Sequence, residues 1–231
     1  MGWKIPKLWE GGECWIIGGG PSIPREFGVP ESVIQQVQTG ELPVDTYSPY
    51  LSPIHDKHVI AVNAAFMLGN WIDLVFFGDI GFYFNNRNAL AAFPRPKVAC
   101  HDRDTLRDDG VKIVVKARGH LWGISPLKDK VSWNKNSGGA AISLAYQLGA
   151  VKIYLLGFDM DLGQYGNQHF HRHYMEPGKV KDPSKTPFAR FLPAFPKIAA
   201  DAKKLGVEII NVSQTSKIGV FPKMTIEEIF G

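Results

Sequence analysis

Residues 137–160 read SGGAAISLAYQLGAVKIYLLGFDM and combine two patterns that differ in their spacing of apolar residues. In the first half, Ile142, Leu144, Ala145 and Leu148 recur at helical spacing, and Gly149 stands where such a helix would end. The second half begins with VKIYLL, a nearly continuous apolar run that is typical of a strand buried on both faces. A helix that leads directly into a buried strand predicts an α/β fold with a mainly parallel sheet.

The same alternation extends in both directions along the chain. Further strands are predicted at 13–17, 58–62, 72–77, 97–100, 111–115 and 207–212, with helices at 30–38, 64–68, 82–93 and 187–205. We therefore expect a single Rossmann-like α/β domain over residues 1–231, with helices on both faces of the sheet. The long polar stretch 159–186 is rich in His, Gly, Pro and Lys, which predicts a functional loop or lid.

Composition excludes several classes of protein. The 231 residues are 45% apolar and 21% charged, as in folded globular proteins. No apolar run approaches the roughly 18 residues of a membrane span, and no secretory signal precedes the first strand, so we expect a cytoplasmic protein without a membrane span. The two cysteines, Cys14 and Cys100, are too few for a disulfide framework or a cysteine-rich metal site.

The net charge of +4 is divided unevenly. Residues 1–111 carry 9 Lys and Arg against 13 Asp and Glu, or −4, whereas residues 112–231 carry 17 against 9, or +8. A basic half suits an anionic small molecule. Its positive residues are scattered, and no arginine-rich helix or RNA-binding motif accompanies them, so we expect no nucleic-acid partner.

A glycine-rich loop, Gly18-Gly19-Gly20-Pro21-Ser22, directly follows the first predicted strand. Glycines at the carboxyl end of a strand let backbone N–H groups approach a phosphate, and ligands of open α/β sheets bind at that edge. The alternative is a tight turn, which also favours glycine. The loop has neither the GxGxxG pattern nor the P-loop pattern, yet three consecutive glycines favour the nucleotide-binding interpretation.

Asn63 and Asp79 come at the carboxyl ends of the next two predicted strands. The Asn63 amide could bind a ribose or a base, and Asp79 could bind a hydroxyl group or a metal. Each residue could instead be the N-cap of the helix that follows it; for Asn63 taken alone the cap is favoured, and for Asp79 the cap and the ligand role are equally favoured. Both alternatives stay open at this point.

Ser137 and Gly138 begin the helix of the opening stretch. With Ser137 as the N-cap and small residues in the first turn, backbone N–H groups are exposed to bind an anion. Small residues here also allow the helix to pack closely on a strand. The two interpretations are compatible.

The residues after strand 151–156 form the richest group of chemically active side chains. Asp159 and Asp161 are followed by a tyrosine and by three histidines within five residues, at positions Tyr165, His169, His171 and His173. In extended backbone, alternate residues share a face, so the three imidazoles would converge. We rank a catalytic or ligand-binding role first, a metal site with Asp159 or Asp161 second, and a polar surface loop third.

Four blocks occur in a fixed order: strand–GGGPS, strand–VNAAF, DLVFFGD and the opening stretch 137–160. In this order the chain resembles the Campylobacter-type bacterial sialyltransferase family. It also resembles the related 6-hydroxymethylpterin diphosphokinase-like family of uncharacterised, often phage-encoded, proteins. The resemblance covers roughly residues 13–160 and implies cytoplasmic location in a bacterial cell or a phage-infected host.

The sialyltransferase resemblance implies a Rossmann-like domain that transfers a sugar from a CMP-sugar and requires no metal or other cofactor. It implies nucleotide contacts at Gly18, Gly20, Ser22, Asn63, Ser137 and Gly138, with Tyr165 nearest to the tyrosine that contacts the leaving phosphate. From their positions after the predicted strands, we expect Gly19, Asp79 and Asp159 to bind the nucleotide as well. The family's catalytic histidine precedes the last long helix, where this chain has Asp182-Pro183-Ser184-Lys185. A loop of different length would bring His171 or His173 to that position.

The leading hypothesis is a glycosyltransferase with a CMP-sugar donor and a small-molecule or glycan acceptor. A histidine from 169–173 would act as general base, while Tyr165, Arg172 and the helix start at Ser137 would stabilise the departing phosphate. One alternative is diphosphate transfer from ATP to a small alcohol such as a hydroxymethylpterin, with Mg²⁺ held by Asp79 and Asp159. Another is a non-catalytic nucleotide- or glycan-binding module. A homo-oligomer stays open.

Overall fold

The computed structural model describes residues 2–101, 103–173 and 185–231. Its main sheet has seven strands, all parallel, in the order β5-β4-β3-β2-β1-β8-β9, and a second sheet pairs β6 with β7. The strands are β1 (Glu13–Ile17), β2 (Val59–Val62), β3 (Leu74–Phe77), β4 (Lys97–Ala99), β5 (Lys112–Ile113), β6 (Val115–Lys116), β7 (Lys130–Val131), β8 (Lys152–Leu156) and β9 (Glu208–Asn211). The predicted α/β fold with a parallel sheet is therefore confirmed.

The helices surround this sheet. They are α1 (Ile23–Glu26), α2 (Glu31–Thr39), α3 (Ile80–Ala92), α4 (Asp104–Asp108), α5 (Ser137–Leu148), α6 (Phe188–Phe191), α7 (Phe195–Leu205) and α8 (Ile226–Phe230), with 3₁₀ segments at 44–54, 63–68 and 192–194. Within the described ranges, no helix is both long and apolar enough to cross a membrane.

Two predicted elements are interrupted in the structure. The predicted helix 187–205 is divided by a 3₁₀ turn at 192–194, where Pro193 and Pro196 supply no backbone N–H. The predicted strand 111–115 divides into β5 and β6 because β5 pairs with β4, whereas β6 pairs with β7. The strand β7 and the helices α1, α4 and α8 were not predicted.

Alternate residues of each strand enter two separate cores. On one face, Ile16 and Phe76 pack with α5 and α7; on the other, Ile17 and Phe77 pack with α2, α3 and the 44–54 segment. Because both faces of the strands are buried, their sequences are nearly continuous apolar runs. The glycines that end α5 and α7 have φ angles of +105° and +69°, so the predicted helix ends at Gly149 and Gly206 are confirmed.

The order in which strands are added to the sheet reverses at β1. The chain proceeds outward from β1 to β5, returns through α5, and then adds β8 and β9 on the other side of β1. The loops after β1 and β8 therefore leave their strands side by side, at the carboxyl edge. In open α/β sheets such a reversal opens a crevice in which ligands bind.

Candidate functional site

A cavity of about 620 Å³ occupies this crevice. Its wall includes residues from the carboxyl ends of β1, β2, β3 and β8, from the start of α5, and from the histidine-rich segment 168–173. Most of the residues that were predicted as site residues from sequence line it: Gly18, Gly19, Gly20, Asn63, Asp79, Ser137, Gly138, Asp159, His169 and His171.

Two predicted phosphate ligands lie against helix α2 instead. The Tyr165 hydroxyl donates to a carboxylate oxygen of Glu31, and the residue is 40% exposed. The Arg172 guanidinium donates to the backbone carbonyl of Thr39. Neither side chain is part of the cavity wall.

Ser22 and His173 also lie outside the wall of this cavity. The Ser22 hydroxyl donates to the Ser213 hydroxyl at 3.1 Å, and the residue lines a smaller neighbouring cavity of about 210 Å³. His173 is exposed, and its Nε2 lies 2.5 Å from the side-chain oxygen of Asn86. Their roles in nucleotide binding and catalysis stay predictions.

The three glycines after β1 allow protein groups to pack directly on this loop. A Cβ on Gly19 would lie 2.8 Å from His169 Nδ1, and one on Gly20 would lie 1.9 Å from Asp159 Oδ2. Neither glycine has a φ angle in the left-handed region. Close approach, and not the conformational freedom that a tight turn requires, explains why glycine stands here.

Asp159 connects the loops after β1 and β8. Its side chain is only 3% exposed, and Oδ2 accepts a hydrogen bond from the Ser22 N–H at 3.0 Å. Burial raises the pKa of this carboxyl group, and the hydrogen bonds from Ser22 oppose that rise. The other oxygen, Oδ1, is buried and has no hydrogen-bond partner within the described residues.

Asn63 follows β2 in an unusual backbone conformation, with a φ angle of +53°. The N-cap position of the 63–68 segment is occupied by Val62, so the alternative that Asn63 caps this helix is wrong. The side-chain oxygen of Asn63 is buried, and no described residue donates a hydrogen bond to it. A non-glycine residue held at positive φ beside a cavity is a feature of functional sites.

Asp79 is the N-cap of α3, because its Oδ1 accepts from the Gly81 N–H at 2.8 Å. The cap alternative from the sequence is therefore confirmed. The residue is exposed and also borders the cavity, so the capping contact leaves it at the site.

Helix α5 begins at the cavity. The prediction of Ser137 as its N-cap is wrong, since Asn136 Oδ1 accepts from the Gly139 N–H at 2.6 Å. The Ser137 hydroxyl instead accepts from the Gly78 N–H at 3.2 Å, which attaches the helix to the end of β3. A Cβ on Gly138 would lie 2.8 Å from the Phe158 ring, so close packing explains this glycine. Because Ser137 and Gly138, the first residues of α5, line the cavity, the positive end of the helix dipole faces it.

The three imidazoles lie next to one another, as the alternation predicted. The rings of His169 and His171 are stacked with centroids 5.2 Å apart, and His173 follows at 6.2 Å from His171. His169 Nδ1 lies 3.2 Å from the Gly19 carbonyl oxygen. Because a carbonyl only accepts, Nδ1 carries the hydrogen in the neutral ring, and Nε2 is the basic nitrogen.

His171 has the opposite tautomer. Its Nδ1 accepts from the His173 N–H at 3.1 Å, so in the neutral ring Nε2 carries the hydrogen. Burial lowers the pKa of His171 well below 6.5, and positive charge on His169 and His173 would lower it further. His171 is therefore neutral at pH 7. Burial also lowers the pKa of His173, although that residue is more exposed.

Sequence reasoning missed several residues of the wall, namely His101, Trp133, Lys135, Gln168, Phe188, Arg190 and Phe191. One signal would have found His101, which comes two residues after the end of β4 and so at the same sheet edge. The aromatic and basic residues come from α6 and from the loop before α5, where no pattern marks them. Across the described ranges, no three His, Cys, Asp or Glu side chains are arranged to hold a metal ion.

The predicted lid, 159–186, is described up to residue 173 and from residue 185. The stretch 174–184, which includes most of Asp182-Pro183-Ser184-Lys185, lies outside the described residues. Within the described part, Asp159, His169 and His171 belong to the cavity wall.

Solved structures of other proteins share the fold, among them the following two. The sialyltransferase CstII from Campylobacter jejuni, in complex with cytidine-5′-monophosphate, matches with a TM-score of 0.50 and 13% identity, over 92% of this chain and 84% of that chain. The MAf glycosyltransferase from Magnetospirillum magneticum AMB-1 matches with a TM-score of 0.55 and 16% identity, over 94% of this chain and 34% of that chain. No protein-family model matches the chain, and no curated protein does.

The chain therefore shares its overall fold with these two proteins. The comparisons give no support to the resemblance to the diphosphokinase-like family. At identities this low the likeness concerns the fold, and the chemistry must be argued from the site.

Proposed function

We propose that this chain is a glycosyltransferase that transfers a sugar from a CMP-sugar donor to an acceptor hydroxyl group. One observation carries the proposal: Asn63 and Asp159 each hold a buried oxygen without a partner among the described residues, and both residues line the same cavity. Buried acceptors are rarely left unsatisfied, because each costs about 1–3 kcal/mol. A nucleoside offers the matching donors in its ribose hydroxyls and its exocyclic amino group.

The phosphate of the donor has a suitable partner in helix α5. Its first residues, Ser137 and Gly138, line the cavity, and a helix of 12 residues presents partial positive charge and free N–H groups at this end. Negative charge develops on this phosphate as the sugar leaves, so the helix dipole would stabilise the transition state. The CMP bound in one structure of the same fold supports cytidine as the nucleoside.

His169 is the general base of this proposal. Its Nε2 would accept the proton of the acceptor hydroxyl while that oxygen bonds to the anomeric carbon and the bond from sugar to phosphate breaks, releasing CMP. The Gly19 carbonyl, 3.2 Å from Nδ1, would orient the ring and stabilise the imidazolium that forms. His171 stays neutral beside it and so adds no positive charge that would oppose protonation of His169.

The first experiment is a thermal-shift panel of CMP, CDP, CMP-sialic acid, UDP, GDP, AMP and ATP, each with and without Mg²⁺. Specific binding raises the melting temperature by mass action, and we expect cytidine nucleotides to do so without Mg²⁺. Stabilisation by ATP with Mg²⁺ alone would overturn the proposal in favour of diphosphate transfer.

The second experiment measures turnover, as CMP released from CMP-sialic acid by a pool of glycan acceptors. We expect release by the unaltered protein and a loss in His169→Gln. Binding of CMP without any release, and with no effect of His169→Gln, would identify a non-catalytic binding module instead.

A further inference from the structure

The wall of the cavity includes aromatic rings and basic side chains. Trp133 and Lys135 come from the loop before α5, whereas Phe188, Arg190 and Phe191 come from α6. All five line the cavity, and none of them is a nucleotide contact or the general base in the proposed function. We call these five residues the basic wall.

Each cation at this wall lies over an aromatic ring. Such contacts orient a long flexible side chain without neutralising its charge. Lys135 Nζ lies 5.1 Å from the ring centre of Trp122, and Arg190 Cζ lies 5.1 Å from that of Phe191. A third cation, Lys116, lies outside the cavity wall with its Nζ 4.3 Å from the Trp133 ring centre.

None of these three cations has an ion-pair partner in the part of the chain that the structure describes. None of the three acidic residues of the cavity pairs with these cations: Asp161 pairs with Lys217 at 3.2 Å, the Asp79 carboxylate caps α3, and Asp159 Oδ2 accepts from the Ser22 N–H. The basic wall therefore presents uncompensated positive charge to whatever enters the cavity.

We propose that the basic wall binds the acceptor, and that the acceptor is an anionic saccharide. The indole of Trp133 would pack against the apolar face of a sugar ring, while Lys135 and Arg190 would bind its carboxylate. This inference rests on the proposed function, which assigns the donor to the glycine loop, Asn63 and the start of α5. Those groups serve a nucleotide without using the cations, so the cations are left for a second anion.

The test uses two probes, 4-nitrophenyl β-D-glucuronide and 4-nitrophenyl β-D-glucoside. They differ only at C6, which is a carboxylate in the first and a hydroxymethyl group in the second. Their affinities are measured by ligand-observed NMR on the full chain, with CMP at saturation so that the donor site is filled. We expect the glucuronide to bind about tenfold more tightly than the glucoside, as one charge-assisted contact would give. Equal affinities, or no binding of either probe, would overturn the inference.

Three variants locate the anion. Lys135→Met and Arg190→Met keep an unbranched or flexible stem without the charge, and each should lower glucuronide affinity about tenfold while CMP affinity stays unchanged. Lys203→Met, at an exposed position in the last turn of α7, is the matched control and should change neither. A loss of CMP affinity in Lys135→Met, with glucuronide affinity unchanged, would assign the cations to the donor phosphate and so refute the acceptor site.

Failure of the proposed function is distinguishable from failure of this inference. If CMP does not bind at all, the donor assignment is wrong, and the same probes are compared without CMP. A preference for glucuronide that disappears in Lys135→Met would then still support the basic wall as a site for anionic saccharides.

Discussion

Asp159 Oδ2 and the backbone N–H of Ser22 form a buried hydrogen bond of 3.0 Å across 137 residues of sequence. It fixes the loop after β8 to the loop after β1, and both loops contribute to the cavity wall. Because a Cβ on Gly20 would overlap the Asp159 carboxylate, the two loops can approach this closely only if residue 20 has no side chain.

Gly20→Ala tests this dependence. The new Cβ would lie 1.9 Å from Asp159 Oδ2, so the loop must shift, and we expect a loss of about 1–3 kcal/mol in the free energy of unfolding together with loss of nucleotide binding. Urea unfolding and calorimetric titration with CMP measure the two effects.

Gly219→Ala is the control for that substitution, since no atom lies within 4 Å of the Cβ it would add. It should leave both quantities unchanged. Full retention of CMP affinity in Gly20→Ala would show that the two loops do not define the site.

Asn63 and Asn134 offer a matched pair, since their φ angles are +53° and +54°. Replacement by glycine suits both backbones. Asn63→Gly removes an oxygen without a described partner, so stability should be preserved while CMP affinity falls about tenfold. The same fall in both variants would argue that Asn63 acts through the fold.

Asn134→Gly should do the reverse. The buried Asn134 side chain accepts from the Gly123 N–H at 2.7 Å and donates to the carbonyls of Gly123, Ser132 and Gly139. Losing these bonds should lower the free energy of unfolding by about 2–4 kcal/mol. Urea unfolding curves of the two variants check both expectations.

The sheet was predictable because its strands are buried on both faces, which gives short, nearly continuous apolar runs such as VKIYLL with β-branched and aromatic residues. β7 was not predictable, because two residues provide no pattern. The break in helix 187–205 was foreseeable from Pro193 and Pro196, whose rings remove two backbone donors.

The candidate site was predictable where its residues directly follow strands, as Asn63 and Asp159 do, because parallel strands bring their carboxyl ends to one edge. Ser137 was assigned as a cap although Asn136, an equally good capping residue, precedes it. Trp133 and Arg190 reach the cavity through tertiary packing, which leaves no mark in the local sequence.

His169→Gln should lower turnover about 10²- to 10⁴-fold, the usual contribution of a general base, and leave CMP affinity unchanged. His173→Gln is the control within the same segment, because His173 lies outside the cavity wall. Steady-state CMP release and calorimetric titration separate the two effects. A larger loss in His173→Gln than in His169→Gln would transfer the base role to His173.

His171 should make folding sensitive to mild acid. The folded-state pKa lies below the value of about 6.5 for an unfolded chain, so the unfolded state binds more protons as the pH falls through 6.5. Stability is then complete above that pH and is lost below it, by at most about 1.4 kcal/mol per pH unit for this group.

His171→Phe removes this titration while keeping an aromatic ring of similar size. Unfolding in urea at pH 7.5 and pH 5.5 should show a smaller decrease for the variant than for the unaltered protein. Identical decreases in the two proteins would mean that another group controls the acid sensitivity.

The reversal of the chain at β1 also bears on how the protein reaches its native state. Gly19 and His169, which contact each other at the cavity, are separated by 150 residues, and the strands on the two sides of β1 come from different halves of the chain. Contacts of such long range close large loops and therefore form slowly. Ligand affinity is then a property that neither half has by itself, and recovery of CMP binding after denaturation should follow, and never precede, the recovery of parallel sheet structure.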